Sequence, residues 1–369
     1  MLAKGGVRAD GLAAYRMVKS LRVLNFRCFK QLELDNLGRV NVVVGRNGSG
    51  KTSLLEAVYL AAGGGPQVAL RLRRWRGFGI DLRFSATKEG YESLWRDLFF
   101  NFNPESGAVI EMTGDLETTR KLSLRYSPDE ETKLNIEGLS VDSTLITPLT
   151  FETTDGRGTV VPSRLIVSGG EIAVRPPAAQ PVQAAFFNSI SLFDGPVEPA
   201  SQLSALRQKN QADGLLTALK AVFPSIKSLA VEVISGSPMV CAIIPPVSLP
   251  QPLAIGSAGM TKLLHILLGI ASMPAGIVLV DEIENGFYWD TLPLIWSTIQ
   301  ATAQEYGTQV FASTHSAECL RALEPSLAVD SGAFRLLRLT KSSDDVQPTA
   351  TLIDGKSLAA AITEGFEIR

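Results

Sequence analysis

"VNVVVGRNGSGKTSLLEAV", residues Val40 to Val58, decides the fold. The near-continuous valines of its first five residues predict a strand buried on both faces, which requires a parallel sheet covered by helices. The run then enters the pattern G-x-x-x-x-G-K-[ST] through Gly45, Arg46, Asn47, Gly48, Ser49, Gly50, Lys51 and Thr52. Glycines let backbone N–H groups turn inward around phosphate oxygens, and the start of the following helix adds partial positive charge. In such a cradle Lys51 reaches the β- and γ-phosphates and the Thr52 hydroxyl holds Mg²⁺. "KTSLLEAVYLAA" keeps helical spacing until "GGGP", which cannot continue a helix.

Upstream, "SLRVLNF" and "KQLELDNL" alternate apolar and polar residues, predicting antiparallel strands with one solvated face. Downstream, "GAVIEMT", "KLSLRYS", "STLITPLTF" and "SRLIVS" read as strands, "VRPPAAQPVQ" as a proline-rich loop, and "SQLSALRQKNQADGLLTALKAVF" as helix with a break near Gly214. The last third alternates again: helix "TKLLHILLGIA", buried strand "GIVLV", helix "WDTLPLIWSTIQATAQEYG", strand "TQVFAST", and a closing helix in "SLAAAITEGFEIR". The expected class is α/β: a mostly parallel sheet flanked by helices, plus an antiparallel, strand-rich lobe made by the N-terminus and an arm. The expected divisions are a flexible leader at 1–16, a core at 17–64 and 237–369, and an inserted arm with helical connector at 65–236.

At 369 residues and 45% hydrophobic content the chain can bury a sizeable core. A net charge of −2 carries no bulk signature of nucleic-acid binding, so such a partner needs a local patch. "ALRLRRWRGFGIDLRF" offers one: Arg71, Arg73, Arg74, Arg76 and Arg83 surround Trp75, a pattern that can grip phosphates and stack on a base. The alternative is an amphipathic segment whose arginines pair with acidic neighbours or a protein partner. Cys28, Cys241 and Cys319 lack metal-ligand spacing and only two histidines occur, which favours a reducing cytoplasm and argues against zinc. No apolar run reaches membrane-span length, and the first residues lack a signal peptide's apolar segment.

"GIVLVDEIENG" puts Asp281 and Glu282 at the end of a buried strand, where open parallel sheets bind ligands. Asp281 suits the Mg²⁺ shell, and Glu282 can orient or deprotonate an attacking water; plain strand capping is the alternative. Glu284 reads as a loop charge or a contact to a neighbouring subunit. In "VFASTHSAECL", His315 follows another strand at a position from which imidazole contacts a γ-phosphate. In "LAIGSAGMTKLL", Gly256, Ser257 and Gly259 precede a helix and form a second anion-binding helix start, while His265 beyond them reads as packed or solvated. Two phosphate-facing surfaces in one chain suggest that two chains share the nucleotide.

The order of "NFRCF", "GRNGSGKTS", "IGSAGMTKLL", "LVDEIENG" and "STHS" resembles the ATPase heads of the SMC, RecF and OLD-like branch of the ABC superfamily. The resemblance implies an ABC-ATPase head in which two copies sandwich ATP and Mg²⁺, the cradle of one facing the signature of the other. By position, Ser49 to Ser53 match the cradle, Ser257 and Gly259 the signature, Asp281 and Glu282 the second motif, and His315 the switch histidine. Arg27 matches an N-terminal arginine that reaches nucleotide. The departures are Ala258 and Met260 inside "SAGMT", and a metal-linking glutamine that the sequence does not assign: Gln67 is available, but its neighbourhood "GGGPQVALRL" gives no reason to prefer it over a loop glutamine. No heptads separate cradle from signature, as the coiled coils of SMC heads do. About fifty residues follow His315, too few for the nuclease domain of OLD proteins; Asp344 and Asp345 in "KSSDDVQ" read as solvated. The expectation is a stand-alone, AAA-family ATP-binding head, a P-loop NTPase that forms a homodimer on ATP and regulates a separate effector, a nuclease or toxin, in anti-phage defence or DNA maintenance. Two alternatives remain: an ATPase that binds nucleic acid directly through Arg71 to Arg76, and a slow-turnover nucleotide-binding scaffold.

Overall fold

The computed structural model describes residues 17–77, 88–115, 117–126, 132–133, 145–146, 148–168, 171–175, 181–188, 197–342 and 346–366. Arg83, Asp344 and Asp345 lie outside the described residues.

The valine strand Val40–Val44 sits inside a six-stranded sheet, between Gln309–Thr314 and Phe334–Thr340 and parallel to both. Ile277–Val280 and then Ala184–Phe187 extend the parallel order on one side, and Thr349–Asp354 closes the other side antiparallel. Val40, Val42 and Val44 point into one apolar cluster and Val43 into the other, so the strand is buried on both faces as its composition predicts. Helices Ala258–Ser272 and Leu292–Tyr306 cover the first face. The cradle helix Lys51–Gly63 covers the second, ending at Gly64 with φ 70° and a cap bond to Leu60 O.

A seven-stranded antiparallel sheet packs on the outer side of the cradle helix, in the order Glu171–Arg175, Val160–Ser168, Leu149–Thr154, Thr119–Tyr126, Ala108–Gly114, Val18–Phe26, Phe29–Leu34. The first two strands of the chain pair antiparallel, Leu21 opposite Leu34, and Leu21 and Val23 are buried while Arg22 is exposed, which is the alternation read from "SLRVLNF". Because that sheet and the parallel sheet hold the cradle helix between them, Leu54, Leu55, Val58 and Leu60 are all buried despite pointing in different directions. Helix spacing alone does not distinguish a surface helix from one enclosed in this way.

Gln309 joins the two sheets at their base. Its side-chain Nε2 donates to Val18 O at 2.9 Å and Gly38 O at 2.7 Å, and its Oε1 accepts from Val18 N at 2.9 Å.

The connector differs from expectation in detail. Helices Val197–Gln208 and Ala212–Val222 are interrupted around Asn210, whose φ is 57°, and Gly214 lies inside the second helix with open space around its α-carbon. Asparagine tolerates the left-handed region well enough to end a helix without glycine. The hairpin Ser228–Ile234 with Ser237–Ile243 and the strand pair Phe334–Thr340 with Thr349–Asp354 were not singled out by the sequence reading. No described helix is long and apolar enough to cross a membrane.

Replacing Gln309 with leucine strands the Val18 and Gly38 backbone groups in the interior. Unfolding free energy from urea titration is expected to fall by about 1–3 kcal/mol; an unchanged midpoint and slope would show that the amide stitch contributes nothing.

Candidate nucleotide site

The strand ends of the parallel sheet converge on a cavity of about 420 Å³, lined among others by Asn47, Gly48, Gly50, Lys51, Thr52, Asp281 and Glu282. Gly50 takes φ 97°, and a β-carbon there would come within 2.7 Å of Cys28 Sγ and 3.0 Å of the Phe29 ring, so only glycine permits the tight turn into the helix. Ser49 is buried beneath the loop. Lys51 Nζ donates to Gly45 O at 2.8 Å and Arg46 O at 3.2 Å. Burial lowers its pKa, opposed by the nearby Asp281, Glu282 and Glu284 carboxylates.

Asp281 is buried at the end of Ile277–Val280 and joins three elements. Its Oδ2 accepts from Thr52 Oγ1 of the cradle helix at 2.9 Å, its Oδ1 accepts from Ser313 Oγ of the neighbouring strand, and its backbone N donates to Phe187 O at 2.8 Å. Glu282 follows with φ 48°, a left-handed conformation uncommon for a residue with a side chain. Its backbone N donates to Ser313 Oγ at 2.8 Å, and its Oε2 accepts from Asn285 Nδ2 at 2.6 Å.

His315 lies just past Gln309–Thr314, about half exposed, with Nδ1 3.1 Å from Glu284 Oε1; the same oxygen accepts from His315 N at 3.0 Å. Glu284 is therefore not a solvated loop charge: its side chain is 12% exposed and fixes the histidine loop. Ser257 caps the helix Ala258–Ser272, its hydroxyl accepting from Met260 N at 3.4 Å. Gly259 falls inside that helix rather than before it. A β-carbon at Gly259 would meet Gly286 O at 2.7 Å, so this glycine serves close packing against the loop after Glu282. Neither Ser257, Gly259 nor His315 lines the cavity.

Residues 20–147 match the family described as "AAA domain", and residues 243–321 match "AAA domain, putative AbiEii toxin, Type IV TA system". RecF of Clostridioides difficile is 47% identical over 47 residues, 13% of each chain. A solved Smc head domain with an extended coiled coil, bound to the C-terminal domain of ScpA derived from Pyrococcus furiosus, shares the fold with TM-score 0.51 over 94% of this chain and 98% of that one, at 12% identity. Together these matches support an SMC/RecF-like ABC-type ATPase. An "ATP/GTP phosphatase" of Helicobacter pylori is 22% identical to this SMC/RecF-like chain, over 84% of it and 88% of that protein.

The structure favours one of the two readings of the arginine segment, arginines paired with acidic neighbours, and places Arg27 and Gln67 outside the cavity lining. Trp75 is 9% exposed, packs on Tyr59 and Phe186 with ring centroids 5.5 and 5.4 Å away, and belongs to the lining of the cavity, not to an outer surface patch. The arginines around it are largely engaged internally: Arg71 donates to Tyr59 Oη at 2.8 Å, Arg73 pairs with Asp97, and Arg76 grips buried Glu56 through two bonds of 2.7 and 2.8 Å. Arg74 is exposed. Burial acts most strongly to lower the Arg76 pKa, and the Glu56 hydrogen bonds together with the charges of Glu56, Asp97 and Asp281 outweigh it, so the net direction is upward. Arg27 has a side chain only 5% exposed, pairs with Glu56 and Asp97, and does not line the cavity. Gln67 is exposed on the helix Pro66–Trp75, away from the cavity lining.

The sequence reading also passed over residues that the geometry brings forward. Asn188 ends the strand beside Ile277–Val280 and lines the cavity with Asp281, a place where a side-chain amide can meet metal or water. Glu56, Cys28 and Arg76 line it as well. Ser313 was hidden in "FASTHS", where nothing local marks it as the partner of a carboxylate 32 positions away. Replacing Lys51 with alanine removes the one cradle ammonium; ATP affinity, titrated with a fluorescent ATP analogue, is expected to fall about 10–100-fold. Unchanged affinity would place the nucleotide elsewhere.

Proposed function

We propose that this chain binds ATP in the cavity beneath the glycine-rich loop, that two copies close on the nucleotide, and that the closed and open states regulate a separate effector. The observation that carries the reading is the division of the site. Lys51, Thr52, Asp281 and Glu282 share one cavity, whereas the Ser257 helix start and His315 do not line it. A second copy can supply the Ser257 surface to a nucleotide held by the first.

The residues have separable tasks. Backbone N–H groups from Gly48 to Lys51 and the helix start behind them receive phosphate oxygens. Lys51, now turned onto the Gly45 and Arg46 carbonyls, exchanges those acceptors for phosphate. Thr52 Oγ1 and Asp281 Oδ2, 2.9 Å apart, form a pair of hard oxygen donors that suits Mg²⁺. When bound, that ion neutralises charge on the β- and γ-phosphates. Asn188 completes the polar lining on the far side of Asp281. Glu282 orients and deprotonates a water, its carboxylate steadied by Asn285. His315, held by Glu284 outside the cavity lining, reaches the γ-phosphate when the pair closes. Arg27 acts through the buried charge cluster and not by touching nucleotide.

A ligand converts binding into control only by favouring one state over the other, and here ATP favours the closed pair. The family description that mentions a toxin system, and the Smc heads bound to ScpA, support a protein effector as the recipient. A nuclease or toxin in anti-phage defence, or DNA maintenance, fits this role. The pairing of Arg73 and Arg76 with acids weighs against direct nucleic-acid binding through that segment.

Replacing Glu282 with glutamine is expected to slow steady-state hydrolysis by on the order of 10²–10⁴ while sparing ATP binding. Light scattering should then record a lasting dimer in ATP–Mg²⁺ that the unmodified protein forms only transiently. A monomer in both cases would sink the shared-site reading, and an unchanged rate would sink the role of Glu282.

A further inference from the structure

Lys262 is the one charged side chain of the Ser257 helix start that the reading above leaves without a task. It lies on the second turn of Ala258–Ser272 and is 2% exposed. Burying an ammonium is costly, and an apolar side chain of similar length would fill the same space. The cost is visible here, since burial pushes the Lys262 pKa down to about 8 against the pull of Glu284 and other acidic groups. What the ammonium gains is specific. Nζ donates to Glu282 O at 2.8 Å and to Asn285 O at 2.9 Å, and it stands 5.5 Å from the centre of the Phe287 ring.

These two carbonyls bracket the turn that holds the catalytic carboxylate. Asn285 N closes the turn onto Glu282 O at 3.0 Å, and Asn285 Nδ2 holds Glu282 Oε2. Glu282 itself keeps φ 48°, a conformation that neighbouring contacts have to maintain. One helical turn before Lys262, Gly259 packs against Gly286 too closely for any side chain. The helix that begins at Ser257 is therefore joined to the Glu282–Asn285 turn twice, by a backbone contact and by an ammonium clamp.

We propose that Lys262 is a positioning residue that fixes the Glu282 carboxylate relative to the Ser257 helix start, so that engagement of Ser257 by nucleotide and placement of the base are set together. This rests on the reading of Glu282 as the base and of Ser257 as a nucleotide-facing group. In a closed pair, Ser257 of one copy meets the nucleotide held by the other. The clamp then reports that contact to the Glu282 of its own chain, and through it to the second nucleotide.

The test is steady-state ATP hydrolysis with Lys262→Met, Lys262→Gln, Glu282→Gln and the double variant Lys262→Met with Glu282→Gln. Lys262→Met is expected to lower kcat by at least about tenfold, since small misplacements of a catalytic group are costly, while KM and ATP-analogue affinity stay within about twofold. Lys262→Gln, which can still donate to one carbonyl, is expected to recover part of kcat. The double variant should be no slower than Glu282→Gln, because a clamp has nothing to position once the carboxylate is gone. A normal kcat in Lys262→Met beside a disabled Glu282→Gln would overturn the clamp and leave the base intact. A normal rate in Glu282→Gln would instead overturn the base, and the clamp with it. Equal falls in kcat and ATP affinity, or additive losses in the double variant, would show a structural role and also overturn the proposal. If Lys262→Met does not fold, the kcat–KM split of Lys262→Gln decides alone.

Discussion

The site depends on one buried carboxylate. Asp281 is held by the Thr52 hydroxyl from the cradle helix, the Ser313 hydroxyl from the strand beside it, and the Phe187 carbonyl from the strand on its other side. A charge buried at this depth is tolerable only when its lone pairs are taken up. Two hydroxyls, from a helix start and a neighbouring strand end, meet that demand, while the Phe187 carbonyl takes up the Asp281 backbone N–H. The same convergence makes the cavity, because parallel strands all finish on the same edge and their loops open outward there.

Local signals were legible wherever physics is local. The valines of Val40–Val44, the glycines of the cradle and the carboxylates after "GIVLV" each carry their meaning within a few residues. The alternation in "SLRVLNF" likewise gave the N-terminal strands and their solvated face. What remained hidden were partnerships across long stretches of chain. "LRLRRWR" reads as a nucleic-acid patch only until Glu56 and Asp97 are known to lie beside it, 20 and 24 residues from their arginines. Trp75 reads as an outward stacking surface until it is found packed on Tyr59 and Phe186 in the cavity lining. Asn188 and Lys262 carry no motif; they matter because of the strand end and the turn they meet.

The buried charges around the cradle form a linked set. Glu56 sits on the cradle helix and is shared by Arg27 and Arg76, while Asp97 is shared by Arg27 and Arg73. Three guanidiniums face two carboxylates, which leaves the cluster with an excess of positive charge beside the cradle helix. Such clusters are worth little as stabilising elements when desolvation is counted. Their consequence is geometric: the "NFRCF" turn, the cradle helix and the start of the arm are held in one arrangement.

The Gln309 amide has a mechanical meaning for the whole chain. It bonds the first strand of the antiparallel sheet to the base of the parallel one, at the end opposite the nucleotide. With the cradle helix enclosed between the sheets and this stitch beneath it, the two layers have no plane along which to slide. Strand Val18–Phe26 and its neighbours therefore act as a rigid handle on the cradle. A load on that sheet therefore meets the phosphate loop through the packed faces of the cradle helix and the Gln309 amide, with no loose joint described between them.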